Sequence, residues 1–291
     1  MTGRLVLLAY VAGWRLVRAL PAPVARWLFA KGADLAYRRD GKGVRRLRAN
    51  LARVVPPADL DRATRAGLRS YARYWLEVFR LPVMGRERIV RGVRCENEHL
   101  LRDAATSGGG GVAVLPHMGN WDVAGAWAVV TGMSFTTVAE RLKPEGLFDR
   151  FVAFRESLGM EVVPLTGGAA NPFDLLADRL RGGALVCLMG DRDLTARGVE
   201  VTFFGETTKF PAGPAALALK TGAPLLPATL WFEGDGWVVR MHEPVPHTTI
   251  PEMTQRVAEV FEEGIRAHPE DWHMLQRLWL SDLDPAKAPV A

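Results

Sequence analysis

Cysteine is scarce in this chain, whose 291 residues include only Cys95 and Cys187. The two lie far apart and neither belongs to a C-x-x-C pair, so the sequence offers no disulfide framework and no cysteine-rich zinc site. Such usage is typical of a reducing compartment. The length of the chain is enough for one large domain or two small ones. Hydrophobic residues make up 48% of it, which is enough for a sizeable core.

Long hydrophobic runs are also lacking. Near the start, LVLLAYVAGW contains ten uncharged residues before Arg15 interrupts the run, whereas a helix that crosses a bilayer needs about 20. No small-residue cleavage site follows, and the helical apolar pattern resumes in RLVRALPAPVARWLF. The sequence therefore predicts neither a transmembrane helix nor a cleaved signal peptide at this position.

Acidic residues are rare in the first fifty positions, where eleven basic residues face only Asp34 and Asp40, a net charge of +9 against +5 for the whole chain. The basic residues are mixed with bulky apolar ones such as Trp14, Trp27 and Phe29. This mixture is typical of helices that lie in the interface of an anionic membrane. Nucleic-acid arms seldom carry as much apolar bulk, so nucleic acid is not predicted as a partner. The alternative is a helical subdomain with a solvated basic face.

The periodicity of apolar residues changes near residue 82. Residues 1–82 predict an N-terminal helical, membrane-associating segment that is broken by prolines. Residues 83–291 predict an α/β body, one continuous domain in which a mostly parallel central sheet is flanked by helices. The predicted strands of that sheet include GVAVLPH, SFTTVAE, MEVVPL and ALVCLM. Two later runs, PLLPATLWF and WVVRMHEPV, are joined by EGDG and predict a hairpin.

A serine nucleophile is lacking too, because no G-x-S-x-G elbow occurs in the chain. In open α/β sheets, ligand-binding sites lie at the carboxyl ends of the strands. Four polar groups follow predicted strands there: His117, Glu140, the stretch 166–168 and the stretch 191–193.

His117 is the strongest of these candidates. A neutral imidazole can take a proton from a hydroxyl near neutral pH when a carboxylate fixes its tautomer. Asp122, one helical turn away, and Asp191, on another strand end, are both possible partners. The alternative is a hydrogen-bonded structural histidine. Because no protein nucleophile accompanies His117, the pattern favours a base that activates the acceptor directly, as in acyl transfer.

Two further patterns, a glycine run and a pair of aspartates, bear on phosphate binding and metal binding. The glycine run at 108–111 precedes a strand, whereas a dinucleotide fingerprint follows one, so the run predicts a turn. Asp191 and Asp193 could hold a divalent ion in a glycosyltransferase, which is the rival enzymatic hypothesis. Alternatively, Asp191 serves His117 while Asp193 or Arg192 ties down the loop.

The stretch His117-Met118-Gly119-Asn120-Trp121-Asp122 resembles the H-x4-D motif of lipid acyltransferases, in the branch that contains the lipid A lauroyl and myristoyl acyltransferases. Longer stretches, spread from Ala12 to Gln276, resemble the actinobacterial phosphatidylinositol mannoside acyltransferases. They include AGWRLVRALP, LRANLARVV, TTVAERLKPE, FRESLGMEVVPLTGG, CLMGDRDL and PEDWHMLQ. The resemblance implies a glycerolipid acyltransferase-like fold.

It also implies transfer of a fatty acyl group, typically palmitoyl, from acyl-coenzyme A to a mannose hydroxyl of a phosphatidylinositol mannoside. The reaction would take place at the cytoplasmic face of the plasma membrane, without a bound cofactor or metal. By this resemblance His117 and Asp122 are the catalytic pair. Asp191 falls on the acidic partner of the histidine, which is often glutamate in the family. Glu140 and Arg155 match polar positions of the active-site groove.

The phosphates of coenzyme A predict a basic groove near the site. The predicted substrate-binding set is Glu140, Arg155, Arg192, Asp193, Arg197 and Lys220. The runner-up acceptor is a lipid A precursor or another lysolipid. Outside the acyltransferases, a non-catalytic lipid-binding membrane protein is the remaining hypothesis.

Overall fold

The computed structural model describes residues 13–139, 145–165 and 171–283. The first described helix, α1, covers residues 13–19. The following helices are α2 (Ala22–Arg39), α3 (Lys42–Leu51), α4 (Leu60–Arg80), α5 (Arg86–Gly92), α6 (Glu98–Thr106), α7 (Trp121–Val130), α8 (Glu145–Ser157), α9 (Pro172–Arg181), α10 (Gly213–Thr221) and α11 (Ile250–Ala267).

The strands are β1 (Val93–Glu96), β2 (Gly111–Leu115), β3 (Phe135–Ala139), β4 (Glu161–Pro164), β5 (Leu185–Met189), β6 (Val199–Phe203), β7 (Glu206–Phe210), β8 (Leu225–Glu233) and β9 (Gly236–Met241). Seven of them form one sheet in the order β1-β9-β8-β2-β5-β3-β4, and β6 and β7 form a separate hairpin. β4, β3, β5, β2 and β8 are parallel, while β9 turns back from β8 as the predicted hairpin. The prediction of a mostly parallel sheet flanked by helices is confirmed.

The central strands are apolar along their whole length because helices cover both faces of the sheet. Every residue of β2 is buried. Val112 and Val114 pack into one core cluster, with α9, α10 and α11, while Ala113 and Leu115 pack into a second cluster with α4, α6 and α7. This alternation is the period of two expected for a strand between two layers.

The N-terminal helices pack against the body. Leu47 and Leu51 of α3 are fully buried in the first core cluster, and the Asn50 amide donates to the Met274 carbonyl at 2.7 Å. Asp34 of α2 accepts hydrogen bonds from Arg65 and Arg69 of α4. Within the described residues, no helix is both long and apolar enough to cross a membrane.

Candidate active site

The sheet register brings two of the predicted residues together. β2 and β5 are parallel neighbours in which Leu115 pairs with Met189. His117 and Asp191 each follow two residues later, so both lie at the carboxyl edge of the sheet. This edge is where α/β proteins commonly bind ligands.

Asp191 holds His117 at two points. Its Oδ1 lies 2.6 Å from the His117 ring Nδ1, and its Oδ2 accepts the His117 backbone N–H at 2.9 Å. A carboxylate only accepts hydrogen bonds, so Nδ1 carries the ring hydrogen and Nε2 keeps its lone pair. The shorter aspartate side chain therefore reaches the imidazole, and the basic nitrogen of His117 points away from it.

The two side chains differ in exposure and stabilise each other's charge. Asp191 is completely buried, whereas the His117 side chain is 38% exposed. Burial alone would raise the pKa of Asp191, but the charge and hydrogen bonds of His117 outweigh it and lower that pKa. Burial would likewise lower the pKa of His117, but Asp191 outweighs it and raises that pKa above its ordinary value. The pair therefore favours an imidazolium beside a carboxylate, which stabilises His117 after it has accepted a proton.

Asp122, the second candidate partner, is joined to other residues. Arg155 Nε donates to its Oδ1 at 2.7 Å, and the Tyr74 hydroxyl donates to its Oδ2 at 2.9 Å. The Asp122 side chain is only 2% exposed. Asp122 thus ties α7 to α8 and α4 behind the histidine, and the pKa of Arg155 is raised, mainly by the charge of Asp122.

The turn between β2 and α7 requires glycine. Gly119 has a φ of +60°, and a Cβ there would lie 2.8 Å from the Leu230 backbone. The next residue, Asn120, caps α7 by accepting the Val123 N–H at 3.1 Å, and its amide nitrogen donates to Glu77. This turn directs His117 and Asp122 to different neighbours although only four residues separate them.

A C-terminal strap, residues 269–273, crosses over this turn. The Gly119 N–H donates to the Asp271 carbonyl at 2.9 Å, and the His273 N–H donates to the His117 carbonyl at 2.7 Å. Trp272, which is fully buried, donates from Nε1 to Asp191 Oδ2 at 3.2 Å. The strap therefore fixes the backbone of the turn between β2 and α7 and gives Asp191 a further donor.

A second histidine lies in the strap, but it is held neutral. Ser70 Oγ donates its one hydrogen to Asp271 Oδ1 at 2.5 Å, so the His273 Nε2–H must donate to Ser70 Oγ, 2.9 Å away. Nδ1 of His273 is buried without a partner among the described residues. Burial, and then the charge of His117, lowers the pKa of His273 to about 3. His273 therefore stays uncharged and does not compete with His117 as a base.

Aromatic rings form a continuous row from the site to α1. Neighbouring ring centroids lie 4.1–5.8 Å apart in the order His117, Trp121, Tyr74, Trp75, Phe79 and Trp14. The last five of these are called the aromatic row below. Apart from the buried Tyr74 and Trp14, its members are partly exposed, so the row gives the site an apolar flank along α4.

The charged residues of the loop after β5 have different surroundings. Arg192 Nε donates to the Arg277 carbonyl at 3.0 Å, and its charge acts to lower the pKa of His117. Asp193 Oδ1 accepts the Thr195 N–H at 3.0 Å, which caps the loop. Arg197 is exposed farther along it. Across residues 13–139, 145–165 and 171–283, no three histidine, cysteine, aspartate or glutamate side chains converge as a metal site.

One residue of the predicted set, Lys220, is not brought to His117. Lys220 lies in the last turn of α10 and forms an ion pair with Asp174 at 2.6 Å. The next strand, β8, starts at Leu225 beside Val112 at the beginning of β2, so Lys220 lies near the opposite edge of the sheet. Glu140 and the stretch 166–168 lie outside the described residues.

Several contributors to the site were missed from the sequence. Asp271, Trp272 and His273 sit in PEDWHMLQ, which in the sequence carries only the family resemblance, and no pattern marks Tyr74 as a partner of Asp122. Their partners lie far away in sequence, so spacing gave no signal. The concentration of polar and aromatic residues in PEDWH could have flagged the strap.

Comparisons with known proteins agree with the motifs. A family model described as "Bacterial lipid A biosynthesis acyltransferase" matches residues 1–281. A protein of Mycolicibacterium smegmatis named phosphatidylinositol mannoside acyltransferase is 51% identical over 286 residues, covering 97% of this chain and 93% of the relative. One of the same name from Mycobacterium tuberculosis is 51% identical over 288 residues, covering 96% of this chain and 90% of the relative.

Proposed function

Because the chain belongs to the bacterial lipid A biosynthesis acyltransferase family, we propose that it transfers a fatty acyl group, palmitoyl by preference, from acyl-coenzyme A to a mannose hydroxyl of a phosphatidylinositol mannoside. The names of relatives at 51% identity support this acceptor class. The observation that carries the mechanism is the His117–Asp191 pair, which leaves the Nε2 lone pair of His117 free at the carboxyl edge of the sheet.

In the proposed reaction, His117 Nε2 takes the proton of the acceptor hydroxyl as its oxygen attacks the thioester carbonyl. Asp191 stabilises the imidazolium. The new C–O bond forms and the C–S bond then breaks. The departing coenzyme A thiolate takes the proton from His117. No acyl-enzyme is needed, because the acceptor itself is the nucleophile.

The oxyanion requires hydrogen-bond donors near the carbonyl carbon. The Gly119 amide is already used by the Asp271 carbonyl, so we assign this role to the amides of Asn120 and Trp121 at the start of α7, where the helix dipole also favours negative charge. Arg192 and Arg197, on the loop after β5, are the proposed contacts for the coenzyme A phosphates.

The proposed location is an anionic membrane surface on the cytoplasmic side. α1 and α2 expose large apolar side chains, Leu16 at 61% and Trp27 at 59%, next to the basic residues Arg15, Arg26 and Lys31. A helix with this composition binds an interface through buried apolar area and attraction to anionic lipids. Sedimentation with vesicles containing phosphatidylglycerol should show binding that falls as salt is added. Salt-independent sedimentation would argue against a basic docking face.

The function is tested by incubating purified protein with palmitoyl-coenzyme A and a panel of acceptors: phosphatidylinositol mannosides, phosphatidylinositol, a lysophospholipid and a lipid A precursor. Mass spectrometry should find an added palmitoyl group on the mannosides and free coenzyme A in equal amount. His117→Ala is the control and should give neither product. Acylation of the lipid A precursor alone would overturn the proposed acceptor, and equal activity of His117→Ala would overturn the proposed base.

A further inference from the structure

A cleft of about 360 Å³ lies between α1 and α8, at the far end of the aromatic row from His117. The residues that matter for its chemistry are Trp14, Arg15, Arg18, Pro82, Arg150 and Phe154. It is called the arginine cleft below. None of the residues predicted for the catalytic site lines it.

Among the described residues, no acidic side chain balances the positive charge of the cleft. Three guanidinium groups line it, and its lining contains no aspartate or glutamate. Arg18 donates to the Phe79 carbonyl at 2.9 Å and lies over the Trp14 ring, contacts that leave its charge uncompensated. The side chains of Arg15 and Arg150 make no hydrogen bond or ion pair with other described residues. Converging cations without an acidic partner favour binding of an anion.

Apart from Ser157, the rest of the cleft lining is apolar. Trp14 and Phe154 are 9% and 5% exposed and meet edge to face, with centroids 5.7 Å apart. Two exposed apolar residues adjoin the lining: Leu16, at 61%, follows Arg15, and Val83, at 60%, follows Pro82. A ligand that satisfies both parts of the cleft therefore carries an anionic group next to hydrocarbon.

We infer that the arginine cleft binds the phosphodiester headgroup of a membrane phospholipid. The phosphate lies among Arg15, Arg18 and Arg150, since guanidinium groups form charge-assisted, often bidentate hydrogen bonds to phosphate oxygens. The glycerol lies on Trp14 and Phe154, and the acyl chains leave past Leu16 and Val83. The exposed Leu16 and Val83, each next in sequence to a lining residue, favour an amphiphile over a soluble nucleotide such as coenzyme A, which would leave them in water.

The position of the cleft suggests how a bound lipid would affect the enzyme. Phe154 and Arg155 are consecutive on α8, so the helix that binds the lipid on one face also holds Asp122 on another. The aromatic row joins the cleft to His117 along α4. A phospholipid in the cleft therefore fixes the enzyme's orientation on the bilayer. This inference deepens the proposed docking on an anionic membrane and rests on it, whereas its test is a binding measurement that does not require acyl transfer.

The test is direct binding by calorimetry, with dioctanoyl phosphatidylinositol kept below its micelle concentration. Wild-type protein should bind it, and the double substitution Arg15→Gln with Arg150→Gln should weaken binding about tenfold or more, which corresponds to about 1.4 kcal/mol. The matched control is Arg38→Gln with Arg39→Gln, which removes the same charge from the end of α2 outside the cleft and should bind like wild type. Arg15→Lys with Arg150→Lys keeps the charge and should lose less.

Two further ligands separate the possible sources of binding. Dioctanoylglycerol has the same chains without a phosphate and should bind much more weakly than the phospholipid. Coenzyme A should bind wild type and the double glutamine variant equally. The inference is overturned if the glutamine and control variants lose affinity alike, if dioctanoylglycerol binds as well as the phospholipid, or if only coenzyme A binding depends on Arg15 and Arg150. Thermal melts establish that each variant is folded.

Discussion

Replacing Asp191 with asparagine should disable His117 while keeping nearly the same volume in the core. The structure dictates how the new amide must turn. Asp191 Oδ2 accepts two N–H donors, the His117 amide and Trp272 Nε1. Only the carbonyl oxygen of asparagine can occupy that position, because an NH₂ group there would face two donors. The NH₂ group must therefore face His117 Nδ1.

This orientation reverses the tautomer of the imidazole. Nδ1 has to accept a hydrogen bond from the asparagine, so the ring hydrogen moves to Nε2, and the nitrogen that should take the substrate proton no longer has a free lone pair. The loss of a positioned general base costs about 10²–10⁴ in rate, or about 3–5 kcal/mol of transition-state stabilisation. We expect kcat for coenzyme A release to fall by that factor, with KM for acyl-coenzyme A little changed.

The pH dependence should change as well. The proposed base, His117, can accept a proton only when it is neutral, and Asp191 raises its pKa. In wild type the rate should therefore fall as the pH drops through a pKa above the ordinary value of 6.5. In Asp191→Asn the anionic partner is gone, so this acid limb should move to lower pH, because a neutral neighbour no longer favours the imidazolium.

The assay is coenzyme A release in the presence of the glycolipid acceptor, from pH 5 to about 9, with thermal melts as a check on folding. Asp191→Asn, His117→Ala and the double variant should lose similar amounts, since residues that act as a unit are not additive. The reasoning is refuted if Asp191→Asn keeps more than about a tenth of the wild-type rate with an unshifted acid limb.

Two other substitutions separate structural from catalytic effects. Asp122→Asn breaks the buried ion pair with Arg155 and should cost about 3–5 kcal/mol of stability, seen as a lower melting temperature, while the acid limb for the folded protein stays in place; an unchanged melting temperature would contradict the assigned role. Trp272→Phe removes one donor to Asp191, a hydrogen bond to a charged group worth about 1.5–3 kcal/mol, and should raise the pKa of the acid limb and so lower the rate near neutral pH, because a carboxylate with one donor fewer attracts the imidazolium more strongly. Trp279→Phe is equally buried and loses a bond to a backbone carbonyl, so a matching shift in that control would refute the special role of Trp272.

The sequence predicted the parts of the site that depend on local pattern. Strand periodicity located His117 and Asp191 at strand ends. The structure shows that these two strands are parallel neighbours in register, which explains why the two side chains meet. Motif spacing could not choose between Asp122 and Asp191, because a five-residue separation allows a contact that the Gly119 turn in fact prevents. That turn depends on the close approach of the Leu230 backbone, which local sequence does not reveal.

The distant contacts escaped prediction for a related reason. Lys220 was assigned to the groove because it lies on a predicted short helix. The direction of α10 instead places it near the amino-terminal ends of the parallel strands, away from His117. Trp272 and His273 reach His117 through tertiary packing, and a hydrogen bond from Trp272 to Asp191 joins positions 81 residues apart. Charge patterning did reveal the basic N-terminal helices, although not that two of their arginines, Arg15 and Arg18, would converge with Arg150.

The C-terminal strap has a consequence for the order of events during protein synthesis. His117 leaves the ribosome first and Asp191 later, but the strap that fixes both is translated later still. A nascent chain that already contains the whole parallel sheet therefore lacks the segment that immobilises its base and carboxylate. Such long-range closure is slow compared with local helix formation. The enzyme should consequently acquire activity late, so ribosome-bound or truncated chains lacking residues 269–273 should be able to reach a membrane before they can acylate anything on it.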